Sequence, residues 1–584
     1  MPIFIRDSTD SVSGRINPTF GPVVSSLTGT SGVLPDVTGS INRALAPITA
    51  SLRDGVSYPL TYTSRGGSLN MYQTGTAAET DRKAMGTLDA CHIIGFNSGT
   101  QADTTPPASG FMSRVDGNKE ILAANPGSIH YLFTYFVFNE SLDDGGIKST
   151  KLYAETGPNG TDWWARDSAG DQVVQFSIGV TNAYGTNISD YSTVDSNGDT
   201  YPEWHADNFI QPKYIDPHIV GGVKIGGPNA VNMFLDNFQH HSNKSGIDWN
   251  QSGGNDDAQD YYDPEEASHV STDPVAVTAY SAVRTNMMKG VNRVRSNNPG
   301  ILLLPNTNQW ADKPLDRLDK PESFAELRNC ILEYRLGGAT DKANVEGGFS
   351  EGNSGNSNPR SGVNSAGVKQ PFGNWLQTYF NTYQSVRLAK DPAIVPCSFW
   401  VQCLESGSSG PGSLTTWSPI PASNAYWNVA RWAMCTAWMA GAHASITGIQ
   451  VGASTAGRAQ STPLFDEYGL INGAVDYGFG SGPTKLYYKW MGSAVGDPPT
   501  TAHDGTIWIR EFTNALIVIN TDNDSANADA TVTVSGLPGG ASEWTRFVGS
   551  QDTSVNTGID ASSNFQIPPV NAIVLARKSW YDAL

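Results

Sequence analysis

The stretch Asn232-Met233-Phe234-Leu235-Asp236-Asn237-Phe238 decides the fold prediction, because an apolar run ends abruptly in a carboxylate. The residues before Asp236 suit a buried strand, and a polar segment begins directly after it. Buried parallel strands read as near-continuous apolar runs, and their carboxyl ends carry the loops that build active sites in α/β barrels. The stretch therefore predicts a parallel strand with Asp236 at the functional edge of its sheet.

A second segment repeats this pattern. Val345-Glu346-Gly347-Gly348-Phe349-Ser350-Glu351 is followed by Gly352 and a loop rich in Asn, Ser and Gly. Two carboxylates at the ends of two strands are what cleavage of a glycosidic bond requires. Either acid alone is explained equally well as a helix cap or the partner of an arginine, so the hypothesis depends on the pair. Glu346 is a rival, but at the start of its strand it would point away from the loop face.

Short apolar segments recur along the chain and predict eight strands, at residues 69–72, 91–96, 130–138, 233–236, 301–305, 347–351, 394–400 and 444–448. Apolar residues at helical spacing predict helices between several of them, at 274–296, 375–389 and 425–440. Strands that alternate with helices favour a (β/α)8 barrel, which we assign to residues 61–504 with long insertions. Asp236 would then end strand four and Glu351 would end strand six.

The two ends of the chain have different patterns. From residue 505 the apolar residues alternate with period two between turn residues, which predicts an antiparallel β-sandwich at 505–584. Residues 1–60 are rich in Ser, Thr, Gly and Pro and predict an extended arm or adaptor. We expect this arm to serve oligomer formation or attachment to a particle.

Composition excludes several classes of protein. The 584 residues carry a formal net charge of -19 and no basic run, so nucleic acid is not an expected partner. No apolar run approaches the ~18 residues of a membrane span, and no secretory signal is visible. The five cysteines lack the spacing of a metal site or a disulfide framework, and we expect buried thiols at Cys91 and Cys435. The compartment stays undetermined, with extracellular and virion-associated locations as the two alternatives.

Several motifs together resemble glycoside hydrolases of (β/α)8 type with a carboxy-terminal β-sandwich. Their order along residues 65–580 carries the resemblance, which leaves residues 1–60 unmatched. The motifs are Phe234-Leu-Asp236-Asn-Phe238, Gly347-Gly-Phe-Ser-Glu351-Gly352, Phe465-Asp466-Glu467-Tyr468-Gly469, Asp162-Trp-Trp-Ala-Arg-Asp167, Tyr201-Pro-Glu-Trp204 and Trp508-Ile-Arg-Glu-Phe512.

The placement of the two acids resembles that in retaining α-galactosidase-like barrels. The resemblance implies that Asp236 is the nucleophile and that Glu351 is the general acid and then the base. Glutamate in place of aspartate on strand six departs from that pattern. Retention needs carboxyl groups ~5–5.5 Å apart and inversion ~6.5–9.5 Å, so both outcomes stay open.

Further residues are candidates for binding the substrate. Trp249 and Trp310 follow strand ends and could stack on sugar rings, as could Trp164, whereas tryptophan is more often a core residue. His240 follows Asp236 closely and is equally explained as a solvated loop residue. Asp466 and Glu467 could bind sugar hydroxyls or raise the pKa of Glu351, and the alternative is a structural turn between domains.

No cofactor or metal is predicted. The stretches Asp195-Ser-Asn197-Gly-Asp199 and 255–266 are acidic enough to suggest calcium, but the first lacks the glycine and the bidentate glutamate of a calcium loop. Charges at a helix amino terminus explain the second equally well. There is no phosphate-binding loop, no Gly-x-Ser-x-Gly elbow and no zinc spacing.

Two functions follow from these observations. The first is a glycoside hydrolase that cleaves a poly- or oligosaccharide with a pair of carboxylates. The second is a structural or receptor-binding virion protein, such as a tail component, that uses a glycosidase-like barrel to bind or depolymerise surface glycans. Paired acids favour the first, because a protein that only binds glycans does not need them.

Overall fold

The computed structural model describes separate parts of the chain, which together make up just under half of its residues. The described residues are 57–66, 74–86, 88–94, 109–110, 112–124, 129–135, 138–140, 162–178, 181–220, 223–224, 231–236, 246–254, 274–299, 301–305, 349–350, 398–401, 426–441, 443–446, 465–469, 489–499, 501–521, 532–549, 552–561, 565–568 and 571–584.

An eight-stranded sheet forms the centre of this structure. Its strands β1 to β8 are, in chain order, Thr61–Gly66, Ala90–Ile94, Ile129–Tyr135, Asn232–Asp236, Leu303–Pro305, Phe349–Ser350, Ser398–Val401 and His443–Ile446. Hydrogen-bonded neighbours follow the order β5-β4-β3-β2-β1-β8-β7-β6, and each of these pairs is parallel. The first strand therefore pairs with both the second and the last.

Helices lie between several of these strands, because parallel neighbours need a crossover between them. Helix α1 precedes β2, α2 precedes β3, α3 precedes β4, α4 follows β4 and α5 precedes β8. Helix α3 continues into a π-helix, Ala206–Ile215, and a 3-10 turn, Asp216–His218. In chain order α1 to α5 are Thr76–Gly86, Arg114–Ala124, Tyr201–His205, Pro274–Asn297 and Tyr426–Ala440. The protein is thus a mixed α/β protein.

Apolar residues on the two sides of the sheet belong to different cores. Met233 and Leu235 join the core that contains residues of α3 and α4. Phe234, between them, joins a core made of side chains from the sheet strands alone, which are Tyr62, Ala90, Ile129, Tyr131 and Leu304. Because successive residues of a strand point to opposite faces, β4 is covered on both sides. This explains why it reads as a continuous apolar run.

The predicted strands and helices compare well with these elements. Seven of the predicted segments overlap β2 to β8, and the helices expected at 274–296 and 425–440 are α4 and α5. The first strand of the sheet, β1 at Thr61–Gly66, was not predicted. Its sequence Thr-Tyr-Thr-Ser-Arg-Gly contains one large apolar residue, Tyr62, and therefore gives no apolar run. Residues 69–72 and 375–389 lie outside the described residues.

A long insertion separates β3 from α3. It contains a three-stranded antiparallel sheet in the order Phe138–Glu140, Thr181–Gly185, Val174–Ile178. A further short strand of the insertion, Arg166–Asp167, pairs with Ile247–Asp248, which lies beyond β4. The chain that follows β4 is therefore joined to the insertion that follows β3. Between α3 and β4, Ile219–Val220 pairs with Val223–Lys224.

The carboxy-terminal part consists of two antiparallel sheets that share one core. Trp544, Leu516, Phe565 and Ile567 of that core come from both sheets. Strands β9 to β14 are Ile507–Glu511, Ala515–Asn520, Val532–Val534, Trp544–Arg546, Phe565–Ile567 and Asn571–Arg577, and α6, Lys578–Tyr581, follows them. The first sheet has the order β9-β10-β14-β12, and the second pairs β11 with β13. A 3-10 turn, Ala541–Glu543, precedes β12.

Helix α5 lies between the two main parts of the structure, which explains why most of its residues are apolar. Nη1 of Arg510, on β9, donates hydrogen bonds to the carbonyl oxygens of Trp438 (2.7 Å) and Met439 (2.9 Å) at the end of α5. The indole nitrogen of Trp438 in turn donates to the carbonyl oxygen of Leu60 (2.8 Å). The helix therefore contacts β-structure from both parts of the chain.

The described chain begins within the predicted arm. Ser57–Tyr58 pairs antiparallel with Gly492–Ser493, and both Tyr58 and Leu60 are buried. The rest of the arm, residues 1–56, lies outside the described residues. Cys91 and Cys435 are free and buried, as predicted, whereas the other cysteines lie outside the described residues. Among the helices described here, none is long and apolar enough to cross a membrane.

Candidate functional site

The candidate site lies where the strands of the eight-stranded sheet end. Asp236 is the last residue of β4 and pairs in register with Tyr135, the last residue of β3. The predicted strand end at Asp236 is therefore confirmed. The insertion after β3 and the chain after β4 both leave the sheet at this edge. Asp236 therefore lies at the edge of the sheet that these two segments share.

Glu351 directly follows Ser350, the last residue of β6. It is itself outside the described residues, as are Trp310 and His240. The strand before it is the sixth of the sheet in chain order, as expected, and it pairs in parallel with β7. The roles of Glu351, Trp310 and His240 therefore stay predictions.

Trp249 lies in the short segment 246–254 that follows Asp236, but its side chain is only 1% exposed. It packs in the same core as Leu235 and Met287, and its carbonyl oxygen accepts a hydrogen bond from Nδ2 of Asn187 (2.9 Å). A residue that stacks on a sugar needs an exposed ring face. This environment favours the core alternative for Trp249, which anchors the chain after β4 to the insertion.

Trp164 is also buried, in the insertion. Its backbone nitrogen donates to Oδ1 of Asp162 (3.1 Å), and Oδ2 of the same carboxylate accepts hydrogen bonds from Nε and Nη2 of Arg166 (2.8 and 2.5 Å). The surroundings of Trp164 likewise favour a structural role.

Asp466 and Glu467 lie in a 3-10 turn, Asp466–Tyr468, after β8. Both carboxylates are buried. Oε1 of Glu467 accepts hydrogen bonds from Nε of Arg431 (2.6 Å) and Nδ2 of Asn556 (3.2 Å), and Oδ2 of Asp466 accepts a longer one from Asn556 (3.4 Å). Asn556 belongs to the carboxy-terminal part, so the turn joins the two parts of the chain. These contacts favour the structural alternative over contact with a sugar.

Arg431 is the centre of this polar cluster. Burial acts to lower the pKa of its guanidinium, but the facing carboxylates of Glu467 and Asp552 outweigh burial and raise that pKa. Its role was not predicted, although the sequence carries a signal. Arg431 is the single charged residue of α5, and a charge in an otherwise apolar helix indicates a buried ion pair.

The carboxylates of the acidic loop Asp195–Asp199 accept hydrogen bonds from backbone and side-chain groups of the protein itself. Oδ1 of Asp195 accepts hydrogen bonds from the backbone nitrogens of Asn197 (2.7 Å) and Asp199 (3.0 Å), and Oδ1 of Asp199 accepts one from Nη2 of Arg293 (2.6 Å). Burial raises the pKa of Asp199, although Arg293 opposes this. Within the described ranges, no group of three or more His, Cys, Asp or Glu residues is placed to hold a metal ion. The second acidic stretch, 255–266, lies outside them.

Comparison with known proteins gives the following relations. No protein-family model and no curated protein matches the sequence. Similar solved structures include an α-amylase from Anoxybacillus, described as a new glycosyl hydrolase subclass (11% identity, 88% of this chain and 97% of that chain, TM-score 0.35). They also include an α-amylase from Geobacillus thermoleovorans complexed with acarbose (10%, 88% and 97%, TM-score 0.37) and the type III pullulan hydrolase from Thermococcus kodakarensis (11%, 92% and 79%, TM-score 0.40). These structures are glycoside hydrolases, the class that the sequence motifs resemble. Because every TM-score is below 0.5, the likeness carries no argument about the activity of this chain.

Proposed function

We propose that the protein is a glycoside hydrolase that cleaves a poly- or oligosaccharide, with Asp236 and Glu351 as its two catalytic carboxylates. The eight-stranded sheet would close into a (β/α)8 barrel between β5 and β6. The strand order supports this closure. Starting from β1 it runs in sequence through β5 on one side and back through β8, β7 and β6 on the other. Joining its two ends gives the order of a barrel whose strands follow one another around the axis.

The observation that carries the proposal is the register of the strands. Phe234 belongs to the core formed by sheet strands alone, and alternation predicts that Asp236, two residues further, lies on the same side. Residues that pair across neighbouring parallel strands also share a side.

The same reasoning extends around the sheet to β6. Tyr62 belongs to the same core as Phe234 and pairs with Ser445, which pairs with Trp400. Ser398, two residues before Trp400, pairs with Phe349. If the alternation continues past Ser350, Glu351 shares the side of Asp236. Both acids would then point into the barrel at its carboxyl rim.

Such a pair has a defined mechanism. In a retaining reaction, ionised Asp236 attacks the anomeric carbon while protonated Glu351 donates its proton to the leaving oxygen. Glu351 then removes a proton from the water that hydrolyses the glycosyl-enzyme. Two acids at one site favour this division of roles, because the negative charge of one raises the pKa of the other.

The remaining site and domain assignments are part of the same proposal. His240 and Trp310 would contact the sugar from the loops that follow β4 and β5. Residues 61–504 would form the catalytic domain, and 505–584 a β-sandwich that contributes no catalytic group. No cofactor is proposed.

The experiment is a hydrolysis screen with neutral, acidic and sulfated polysaccharides that reads out new reducing ends. The Asp236→Asn and Glu351→Gln variants, tested in parallel, serve as controls for contaminating hydrolases. We expect the wild-type protein to release reducing ends from at least one substrate, and the Asp236→Asn variant to release none. Proton NMR of the first anomer formed then distinguishes retention from inversion. Release by all three proteins alike would contradict the proposal.

A further inference from the structure

A chain of buried polar groups joins the segment 246–254, which lies beyond β4, to the insertion and to α4. Nδ2 of Asn187 donates to the carbonyl oxygen of Trp249 (2.9 Å), while Oδ1 of Asn187 accepts from Oγ (2.6 Å) and the backbone nitrogen (3.1 Å) of Ser189. The carbonyl oxygen of Ser189 accepts from Nδ2 of Asn286 (2.8 Å), whose Oδ1 accepts from Oγ1 of Thr200 (2.6 Å). All five residues are buried. We call these five residues the amide relay.

The relay connects elements that surround β4. Asn187 and Ser189 belong to the insertion after β3, and Thr200 directly precedes α3, the helix before β4. Trp249 lies in the segment 246–254 that follows β4, and Asn286 lies on α4, the next helix. A segment before β4 and a segment after it are thereby held by the same set of hydrogen bonds.

Two further contacts anchor the segment after β4 at the same place. Ile247 and Asp248 pair with Asp167 and Arg166 of the insertion. The side chain of Asp248 is buried and accepts hydrogen bonds from the backbone nitrogens of Ser252 (3.0 Å) and Gly253 (2.6 Å). The amide relay thus lies at the buried centre of this larger set of contacts. Among the described hydrogen bonds, the one from the Asn187 amide is the only one that links Trp249 to the other four residues of the relay.

We propose that Asn187 is a positioning residue for Asp236, because it holds the backbone of Trp249, whose side chain packs in the same core as Leu235, the residue directly before that carboxylate; this rests on the proposed function. A catalytic carboxylate has to be held to a fraction of an ångström, and a misplacement of about 1 Å lowers a rate by roughly 10²-fold. Asn187 touches neither the substrate nor the reacting atoms in this role. It acts through the backbone of Trp249.

The test compares two isosteric substitutions. Asn187→Asp keeps the acceptor for Ser189 and replaces the donor to Trp249 with an oxygen. The matched control is Asn298→Asp. Asn298 is also buried and donates to Gln211 (2.6 Å), but it lies just beyond α4, where the chain enters β5 at the opposite edge of the sheet. Both changes place a carboxyl group at a buried amide position.

Two readouts are measured on the full-length proteins, at a temperature at which both variants are folded. The first is kcat and KM on a substrate that the wild type hydrolyses. We expect Asn187→Asp to lower kcat by about 10–100-fold with little change in KM, and Asn298→Asp to leave both near the wild-type values. The second is hydrogen exchange, in which the amides of residues 246–254 should exchange faster only in Asn187→Asp.

Each contrary outcome has its own meaning. Faster exchange at 246–254 with unchanged kcat overturns the positioning role, and so does an equal loss of kcat in both variants. Unchanged exchange in Asn187→Asp overturns the anchor itself. Absence of hydrolysis by the wild type counts against the proposed function, whereas the exchange measurement still decides whether Asn187 anchors the segment.

Discussion

Nε of Arg431 donates a hydrogen bond of 2.6 Å to Oε1 of Glu467, and the two side chains are only 2% and 3% exposed. On its other side, Nη2 of Arg431 donates to Oδ2 of Asp552, also at 2.6 Å. Arg431 lies on α5, Glu467 in the turn after β8 and Asp552 in the carboxy-terminal part. One buried guanidinium therefore joins three separate segments of the chain.

Replacement of Arg431 by methionine should lower the free energy of unfolding by about 3–5 kcal/mol, because two carboxylates lose their buried partner. Arg166→Met is the control, since the Arg166–Asp162 pair is 30% and 37% exposed and should contribute about 0–1 kcal/mol. Urea denaturation measures both. Equal losses in the two variants would show that burial of the Arg431 cluster has no special effect.

A fall in pH should weaken the ion pair between Arg431 and Asp552. Burial acts to raise the pKa of Asp552, but the attraction of Arg431 and hydrogen bonds from Ser554 outweigh it, so the pKa is lowered in the folded protein. A lowered pKa stabilises the fold above the unfolded-state value of about 3.9, and this contribution is lost as the pH falls through the folded-state pKa. The wild type should therefore be more stable than Asp552→Asn near pH 6, and the difference should shrink toward pH 3. A difference that is constant from pH 6 to pH 3 contradicts this.

A methyl group at Gly549 should also disturb the contacts between Asp466 and the carboxy-terminal part. An added Cβ would lie 2.3 Å from Oδ2 of Asp466 and 2.7 Å from Cβ of Asn556, whereas at Gly496 it would meet nothing within 4 Å. Overpacking of this kind costs about 1–3 kcal/mol. We expect a lower melting temperature for Gly549→Ala by calorimetry and little change for Gly496→Ala. Equal melting temperatures would mean that Asp466 moves aside freely.

Two amino-terminal deletions should behave differently. The ring of Tyr58 packs 4.8 Å from that of Phe512, and the carbonyl oxygen of Leu60 accepts the hydrogen bond from Trp438. Burial of two such side chains contributes at least about 3 kcal/mol. Deleting residues 1–56 should leave the free energy of unfolding unchanged, and deleting 1–60 should lower it by that amount. The oligomeric state of the shorter deletion, measured by light scattering, tests whether residues 1–56 serve assembly.

The sequence predicts best the elements whose local pattern matches their environment. Strand β4 could be found because a parallel strand covered on both sides is apolar along its length, and Asp236 stood out because a carboxylate ends such a run. Strand β1 could not, since Thr61–Gly66 is mostly polar. The burial of Trp249 and the partners of Asp466 depend on chain segments far away in sequence. Asn187 carries no local signal, because its amide is buried only through the insertion and α4.

The most direct test of the catalytic assignment is the turnover of Asp236→Asn on the polysaccharide that the wild type cleaves. The amide keeps the shape of the side chain and cannot attack the anomeric carbon. We predict that turnover falls below detection, while the affinity for the polysaccharide, measured by calorimetry at the same pH, stays near that of the wild type. Turnover at the wild-type rate would contradict the assignment of Asp236 as the nucleophile.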